Sequence, residues 1–186
     1  MTVLFVNAAF RENSRTHDLA QKYLSTLTDT VETLNLGEEN IRPLQKASLE
    51  QYCKDTRSHD FQDEMYRYAK QFAKADEIVI AAPFWNFGLP AVLHAYLELV
   101  CTQGITFDLN EAGEYYSLCK AKKLVLILTA GGNVPENDCA ISYLRTLCKE
   151  FWKIEDVRYY YADGIDLVGV DISGKLEAVI KQYGNS

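Results

Sequence analysis

Arg11, Ser14, Arg15 and Thr16 lie close together near the start of the chain, and all four side chains can donate hydrogen bonds to phosphate. Ser14 and Thr16 can also cap the helix that is predicted to follow them. The first amide N–H groups of a helix have no partner within it, and together with the helix dipole they favour an anion. This loop therefore predicts a binding site for a phosphate group, with ordinary helix capping as the alternative.

The same loop lacks the glycine patterns of two other kinds of nucleotide site. Between residues 7 and 17 the sequence contains neither G-x-G-x-x-G nor G-x-x-x-x-G-K-[ST]. This disfavours a Rossmann-type dinucleotide site and a P-loop nucleotidase. Hydroxyl groups would bind the phosphate here in place of glycine amides, so the sequence favours a terminal monophosphate over a pyrophosphate.

Residues 81–90 (AAPFWNFGLP) have a composition that suits a flat ligand. They follow the apolar run 78–80 and precede a helix opened by Pro90, so they form a strand-to-helix turn. The planar side chains of Phe84, Trp85 and Phe87, on a backbone stiffened by prolines, suit a heteroaromatic ring. The alternative is that Trp85 and Phe87 close the end of the hydrophobic core.

Residues 129–133 (TAGGN) form a third loop of interest. Gly131 and Gly132 let the backbone approach a ligand closely or adopt a positive φ. On its own, this loop is explained more simply as a tight turn. Its significance therefore depends on where the fold places it.

These three loops are positioned by strands and helices that the hydrophobic pattern predicts. Apolar or alternating runs predict five strands, at residues 2–7, 31–36, 77–82, 124–129 and 157–161. Helical spacing predicts helices at residues 16–27, 61–75, 90–100, 137–151 and 173–183, the last capped by Ser173, with a short helical piece at 48–52. Residues 104–116 are predicted to be a polar excursion between two of these elements.

Strands that alternate with helices predict an α/β fold with right-handed crossovers. The typical arrangement of five such strands is a parallel sheet of order 2-1-3-4-5 with helices on both faces. The 186 residues fit one domain, spanning 1–186. In this order strands one, three and four are neighbours, so their three loops frame one crevice at the carboxyl ends of the strands, where ligands bind in open α/β sheets.

The composition disfavours several classes of function. The net charge is −7 and no Lys/Arg cluster offsets it, which argues against nucleic-acid binding. No apolar run is long enough to span a membrane and no charged leader is recognised, so a cytoplasmic location is expected. The five cysteines form no C-x-x-C pair and no cluster has metal-ligand spacing, so we predict neither a disulfide framework, a metal site nor a redox thiol.

Several segments resemble the FMN-dependent NADH:quinone oxidoreductase and azoreductase family of flavodoxin-like flavoproteins. They are residues 83–90 (PFWNFGLP), 104–107 (GITF), 122–123 (KK) and 129–132 (TAGG). Arg11 with residues 13–16 (NSRT) is a weaker match. The resemblance covers nearly the whole chain and implies a flavodoxin-like three-layer sandwich that binds flavin.

The resemblance implies FMN as the cofactor, with FAD less favoured. It also implies that each of the three loops contacts a different part of FMN. The first loop holds the phosphate, the second lies against the isoalloxazine ring, and the third meets the far edge of the ring. The residues implied are, in that order, Ser14, Arg15 and Thr16; Phe84, Trp85, Asn86 and Phe87; and Thr129, Ala130, Gly131 and Gly132. No catalytic side chain is assigned, because the flavin carries the hydride chemistry.

The resemblance further implies an enzyme that takes hydride from NADH or NADPH. It would reduce quinones, azo or nitroaromatic compounds in a ping-pong reaction. Family members are homodimers with sites at the interface, which makes Tyr115, Tyr116 and residues 159–161 candidate lining or interface residues.

The chain departs from the family pattern at several positions. Serine is usual where Ala8 and Ala9 stand, tyrosine where Trp85 stands, and Ser-Arg at residues 129–130. Residues 113–118 (GEYYSL) replace the usual Gly-Pro-x-Gly-Leu. Because backbone contacts can survive such changes, FMN binding is still expected, whereas the electron acceptor is not specified.

Two other functions are compatible with the same fold. One is a flavodoxin-type electron carrier, which the turn at residues 86–90 and the match at 104–107 disfavour because flavodoxins lack both. The other is a flavin-free protein that binds partners, which the departures at residues 8–9 and 129–130 allow. Flavin content separates the second alternative from the flavoproteins, and steady NADH oxidation with a quinone separates enzyme from carrier.

Overall fold

The computed structural model describes residues 1–183 as strands and helices in alternation. The strands are β1 (Thr2–Asn7), β2 (Thr30–Asn35), β3 (Glu77–Pro83), β4 (Phe107–Leu109), β5 (Tyr115–Ser117), β6 (Lys123–Thr129) and β7 (Asp156–Ala162). The helices are α1 (Arg15–Leu24), α2 (Lys46–Ser58), α3 (Arg67–Lys74), α4 (Ala91–Val100), α5 (Cys139–Leu147) and α6 (Ile172–Tyr183). A 3₁₀ turn (Glu64–Tyr66) precedes α3 and a π-helical turn (Cys148–Trp152) follows α5.

Five of the strands form one parallel sheet of order β2-β1-β3-β6-β7. In order along the chain these are strands 2-1-3-4-5, so the predicted flavodoxin-like topology is confirmed. The register pairs Asn7 with Ala81 and Pro83 with Thr129. The carboxyl ends of β1, β3 and β6 therefore lie side by side at one edge of the sheet.

Helices cover both faces of the sheet, as predicted for a three-layer sandwich. One buried cluster joins the sheet to α3, α4 and α5, and in it the rings of Phe72 and Trp152 lie 4.5 Å apart. The other joins the opposite face to α1 and α6, where Tyr23 and Tyr183 pack edge to face at 5.3 Å.

The central strands are continuously apolar because both of their faces are buried. In β3, Ile78 and Ile80 belong to the first cluster, while Val79 and Ala81 belong to the second. None of these four side chains is exposed. A strand buried on both faces cannot alternate polar and apolar residues. This explains the continuous apolar run by which the sequence analysis predicted the strand.

The element boundaries differ from the predictions at several places. The predicted helical piece at 48–52 belongs to the 13-residue helix α2. The helix predicted at 61–75 is confined to Arg67–Lys74, and the one predicted at 137–151 passes into the π-helical turn after Leu147. The polar excursion contains an antiparallel pair, β4 and β5, that the sequence analysis did not predict.

The predicted capping of the last helix by Ser173 is wrong. Helix α6 begins at Ile172, so Ser173 is its second residue. Asp171 precedes the helix, and its Oδ1 accepts a hydrogen bond from the amide of Gly174 at 3.0 Å. The aspartate therefore performs the capping function that we assigned to the serine.

Candidate functional site

A cleft of about 360 Å³ lies at the carboxyl ends of the central strands. It is lined by the loop after β1, the turn after β3, the loop after β6 and the start of the loop after β7. The lining residues are Ala9, Phe10, Arg11, Ser14, Arg15, Thr16, Pro83, Phe84, Trp85, Asn86, Thr129, Gly131, Ile165 and Asp166. The three loops predicted from the sequence thus meet in one place.

The start of α1 presents hydrogen-bond donors to this cleft. Ser14 is the N-cap, and its Oγ accepts a hydrogen bond from the amide of His17 at 3.3 Å. Its carbonyl accepts from the amide of Asp18 at 3.0 Å. The amides of Arg15 and Thr16 precede the first intrahelical bond, so they are available to an anion.

The hydroxyl of Thr16 connects α1 to the end of β6. Its Oγ1 lies 2.6 Å from Oγ1 of Thr129, and both side chains are buried. This bond fixes the helix start against the sheet. The hydroxyl of Thr16 is engaged here, and the backbone amide of Thr16 is a further donor that has no partner within the helix.

The turn after β3 is held closed by two backbone hydrogen bonds. The amide of Trp85 donates to the carbonyl of Gly88 at 3.0 Å, and the amide of Gly88 donates back to Trp85 at 2.9 Å. Between them Asn86 and Phe87 have φ values of 51° and 60°. Two consecutive positive φ values are the pattern of a type I′ turn, which asparagine tolerates and phenylalanine rarely adopts.

The aromatic side chains of this turn do not close the core. Trp85 is 47% exposed and Phe87 is 71% exposed, whereas Phe84 is half-buried beneath them. The amide of Phe84 also bonds to the carbonyl of Thr129 at 2.8 Å, which joins the turn to β6. Rings this exposed do not fill the hydrophobic core, so the core-packing alternative is wrong for Trp85 and Phe87.

The loop after β6 contributes unequally to the cleft. Ala130 is buried, its amide donates to Ala162 and its carbonyl accepts from the amide of Ile165. Gly131 lines the cleft, while at Gly132 an added side chain would meet open space. Of the predicted site residues, Phe87, Ala130 and Gly132 thus lie beside the cleft without lining it.

The sequence analysis missed part of the site that follows β7. Ile165 and Asp166 line the cleft, and the predicted order already placed strand five next to strand four. The rule that ligands bind beyond the carboxyl ends of parallel strands could have drawn attention to residues 163–166. Phe10 lies within the first loop and is 48% exposed, and it was not predicted as a site residue because the argument for that loop rested on its phosphate-binding side chains.

A larger cavity of about 1060 Å³ lies elsewhere, between α4, α5 and residues 41–66. Its lining is mostly apolar, and none of the loops that follow β1, β3, β6 and β7 contributes to it. The smaller cleft combines a helix N-terminus, guanidinium groups, exposed aromatic rings and glycine backbone. We therefore take the smaller cleft as the candidate site.

Three of the five cysteines lie in surroundings that do not favour reactive thiolates. Burial raises the pKa of Cys101, Cys119 and Cys148 to about 12. Within residues 1–183, no group of three or more His, Cys, Asp or Glu side chains could hold a metal ion. In the same part of the chain, no helix is long and apolar enough to cross a membrane.

Comparison with known proteins agrees with the observed topology. A family model described as a flavodoxin-like fold matches residues 1–186. An azoreductase structure from Bacillus anthracis has a TM-score of 0.86 at 24% identity, covering 100% of this chain and 97% of that one. Below 25% identity, such a likeness speaks for the fold alone.

Curated relatives are similar over nearly their whole length. The "FMN-dependent NADH:quinone oxidoreductase 2" of Clostridium acetobutylicum is 34% identical, covering 97% of this chain and 94% of the relative. An "FMN-dependent NADH:quinone oxidoreductase" of Coprothermobacter proteolyticus is 33% identical with the same coverage. This chain belongs to the FMN-dependent NADH:quinone oxidoreductase family of flavodoxin-like proteins.

Proposed function

We propose that this protein is an FMN-dependent NAD(P)H oxidoreductase that reduces quinones, azo or nitroaromatic compounds in a ping-pong reaction. The observation that carries the proposal is the meeting of an anion-binding helix start, an exposed aromatic turn and a glycine loop in one cleft. The names of the curated relatives give the same cofactor and donor. Bound FMN would supply the hydride chemistry, and the protein positions it.

The donors of the cleft fit a phosphate monoester. Ser14, the amides of Arg15 and Thr16, and the Arg15 guanidinium converge at the start of α1. Arg11 also lines the cleft and, within residues 1–183, forms no ion pair. Charge-assisted hydrogen bonds together with the helix dipole are the usual means of binding a phosphate without a glycine-rich loop.

The other end of the cleft fits a planar ring system. Phe84, Trp85 and Asn86 line one side of this end, and the Asn86 amide is available to the polar edge of the ring. Thr129 and Gly131 line it from the loop after β6, while Phe87 and Gly132 flank it. Ala130, whose two backbone groups bond within the protein, positions the glycines.

We further propose that the whole chain works as one flavin-binding domain, as a homodimer, in the cytoplasm. The family model spans residues 1–186, which supports one domain. Tyr115 and Tyr116 on the β4–β5 pair are 42% and 43% exposed, and exposed aromatics of this kind mark interaction surfaces. The free cysteines are typical of a reducing compartment.

The test is the cofactor content and the turnover of the purified protein. We expect a yellow protein whose released flavin is FMN, and steady oxidation of NADH or NADPH when a quinone or azo dye is supplied. Apoprotein that binds neither FMN nor FAD would contradict the proposal. Bound FMN with no turnover of any acceptor would point to an electron carrier.

A further inference from the structure

One ion pair spans the candidate cleft. Arg15, the first residue of α1, donates from Nη1 to Oδ1 of Asp166 at 2.8 Å, although 151 positions separate the two residues. The side chains are 37% and 66% exposed. A carboxylate therefore lies against the arginine that, in our proposal, binds the phosphate of FMN.

Contacts with the loop after β6 hold Asp166 in this position. Its amide donates to the carbonyl of Gly131 at 3.0 Å. A β-carbon at position 131 would lie only 2.6 Å from Oδ2 of Asp166, so the carboxylate occupies space that any other residue at 131 would need. Because Gly131 has no side chain, the carboxylate of Asp166 can lie in the cleft beside Arg15.

We propose that Asp166 competes with the phosphate of the cofactor for Arg15 and thereby limits the affinity for FMN. This inference rests on the proposed function. Arginine has several N–H donors, but its single positive charge can neutralise only one of two neighbouring anions. A phosphate that enters the loop therefore meets a like charge and binds Arg15 at the expense of the ion pair.

The competition distinguishes flavins by their charge. Riboflavin has the same ring and ribityl chain as FMN but no phosphate, so it does not draw Arg15 away from Asp166. Asp166 consequently lowers the ratio of the affinity for FMN to the affinity for riboflavin. The released carboxylate is largely exposed and becomes solvated, so the effect is modest and sensitive to salt.

The test replaces Asp166 by asparagine, which preserves the shape of the side chain and its fit against Gly131. In apoprotein stripped of flavin, we expect Asp166→Asn to bind FMN roughly 1.5- to fivefold more tightly at low salt, the range of an exposed charge pair. Riboflavin affinity should not change, and the gain for FMN should shrink as salt is added. Flavin fluorescence quenching measures both dissociation constants.

Glu50→Gln is the matched control, because it removes one negative charge from an exposed site on α2 with no contact to the cleft. It should leave both affinities unchanged. Equal or weaker FMN binding by Asp166→Asn would overturn the inference, since the carboxylate would then be neutral or would orient Arg15 for the phosphate. An equal gain for riboflavin would overturn it too.

The outcomes also separate this inference from the proposed function. Wild-type apoprotein that binds no flavin would refute the proposed function and the inference together. Tight FMN binding by the wild type, with no change in Asp166→Asn, would leave the function standing and refute the competition alone.

Discussion

Asn86 and Phe87 adopt left-handed backbone conformations at the tip of the turn after β3. For residues with a β-carbon this conformation costs about 1–2 kcal/mol each, and asparagine bears it better than phenylalanine. The two hydrogen bonds between Trp85 and Gly88 keep the turn closed. Backbone strain that persists in this way is concentrated at binding sites, which agrees with the position of the turn at the mouth of the cleft.

The side chain and the backbone of Asn86 can be tested separately. We expect Asn86→Gly to preserve thermal stability, because glycine adopts positive φ without strain, yet to weaken FMN binding through loss of the amide. Asn86→Ala should lose the amide and also about 1 kcal/mol of stability, since alanine is disfavoured at this φ. Thermal denaturation and flavin titration of both variants measure the two effects.

The glycine variant is the decisive one of the pair. If Asn86→Gly bound FMN as tightly as the wild type, the side chain would serve the turn only. If both variants lost stability equally, the left-handed backbone would not be the cause.

At the level of single residues, the sequence predicted the phosphate loop, the aromatic turn and the glycine loop because their residue types are unusual where they occur. It did not predict that the Thr16 hydroxyl is buried against Thr129, since that contact depends on how α1 packs on the sheet. Asp166 was missed for a similar reason. A carboxylate after a strand is common, and only the path of its loop brings it to Arg15.

Among the elements, helix α5 begins beside the aromatic turn that follows β3. Asp138 is the N-cap of this helix. Oδ1 of this buried aspartate accepts hydrogen bonds from the amides of Ala140 and Ile141 at 2.7 and 2.9 Å. The next residue, Cys139, donates from Sγ to the carbonyl of Phe87 at 3.3 Å. The cap thus supports both the helix and the turn that it touches.

Asp138→Ala is expected to lower the free energy of unfolding by about 1 kcal/mol, within the usual range for loss of an N-cap. Two amides of the first helical turn, one of them buried, would lose their acceptor, which is the physical reason for the loss. Asp138→Asn retains an oxygen acceptor and should lose much less. Urea denaturation measures both changes, and equal losses would mean that the charge matters more than the hydrogen bonds.

The elements that were predicted only in part or not at all lack a strong apolar pattern. Helix α2 buries only Asp55, so no apolar stripe marks its 13 residues. Strands β4 and β5 have three residues each, too few for an alternating pattern to be recognised. The central strands β1, β3 and β6 were predicted well because burial on both faces requires continuous apolar runs.

For the molecule as a whole, several carboxylates make stability depend on acid pH. The Lys120 ammonium lowers the pKa of Asp76 by its hydrogen bond, the Gln103 amide does the same for Asp108, and the Arg158 guanidinium for Asp156. A carboxyl group whose pKa is lower in the folded state stabilises the fold above its unfolded pKa, near 3.9. That contribution is lost as the pH falls through the folded pKa.

We therefore expect the free energy of unfolding to fall as the pH drops below about 4. Asp156→Asn should reduce this dependence and cost less than about 1 kcal/mol at pH 7, because the pair is partly exposed. Asp60→Asn is the control, since Asp60 is exposed and forms no ion pair within residues 1–183. If the free energy of unfolding of Asp156→Asn fell with acid pH as steeply as that of the wild type, Asp156 would not be a source of the pH dependence.

The bond between Thr16 and Thr129 joins positions 113 residues apart, and Asp166 follows later still. A chain emerging from the ribosome therefore releases the loop after β1 long before the strand that completes the cleft. No flavin can be captured during most of synthesis, and the nascent protein must reach β6 and β7 without help from its cofactor. Supply of flavin in the cell should thus govern how long the finished protein survives, and should leave its initial folding unaffected.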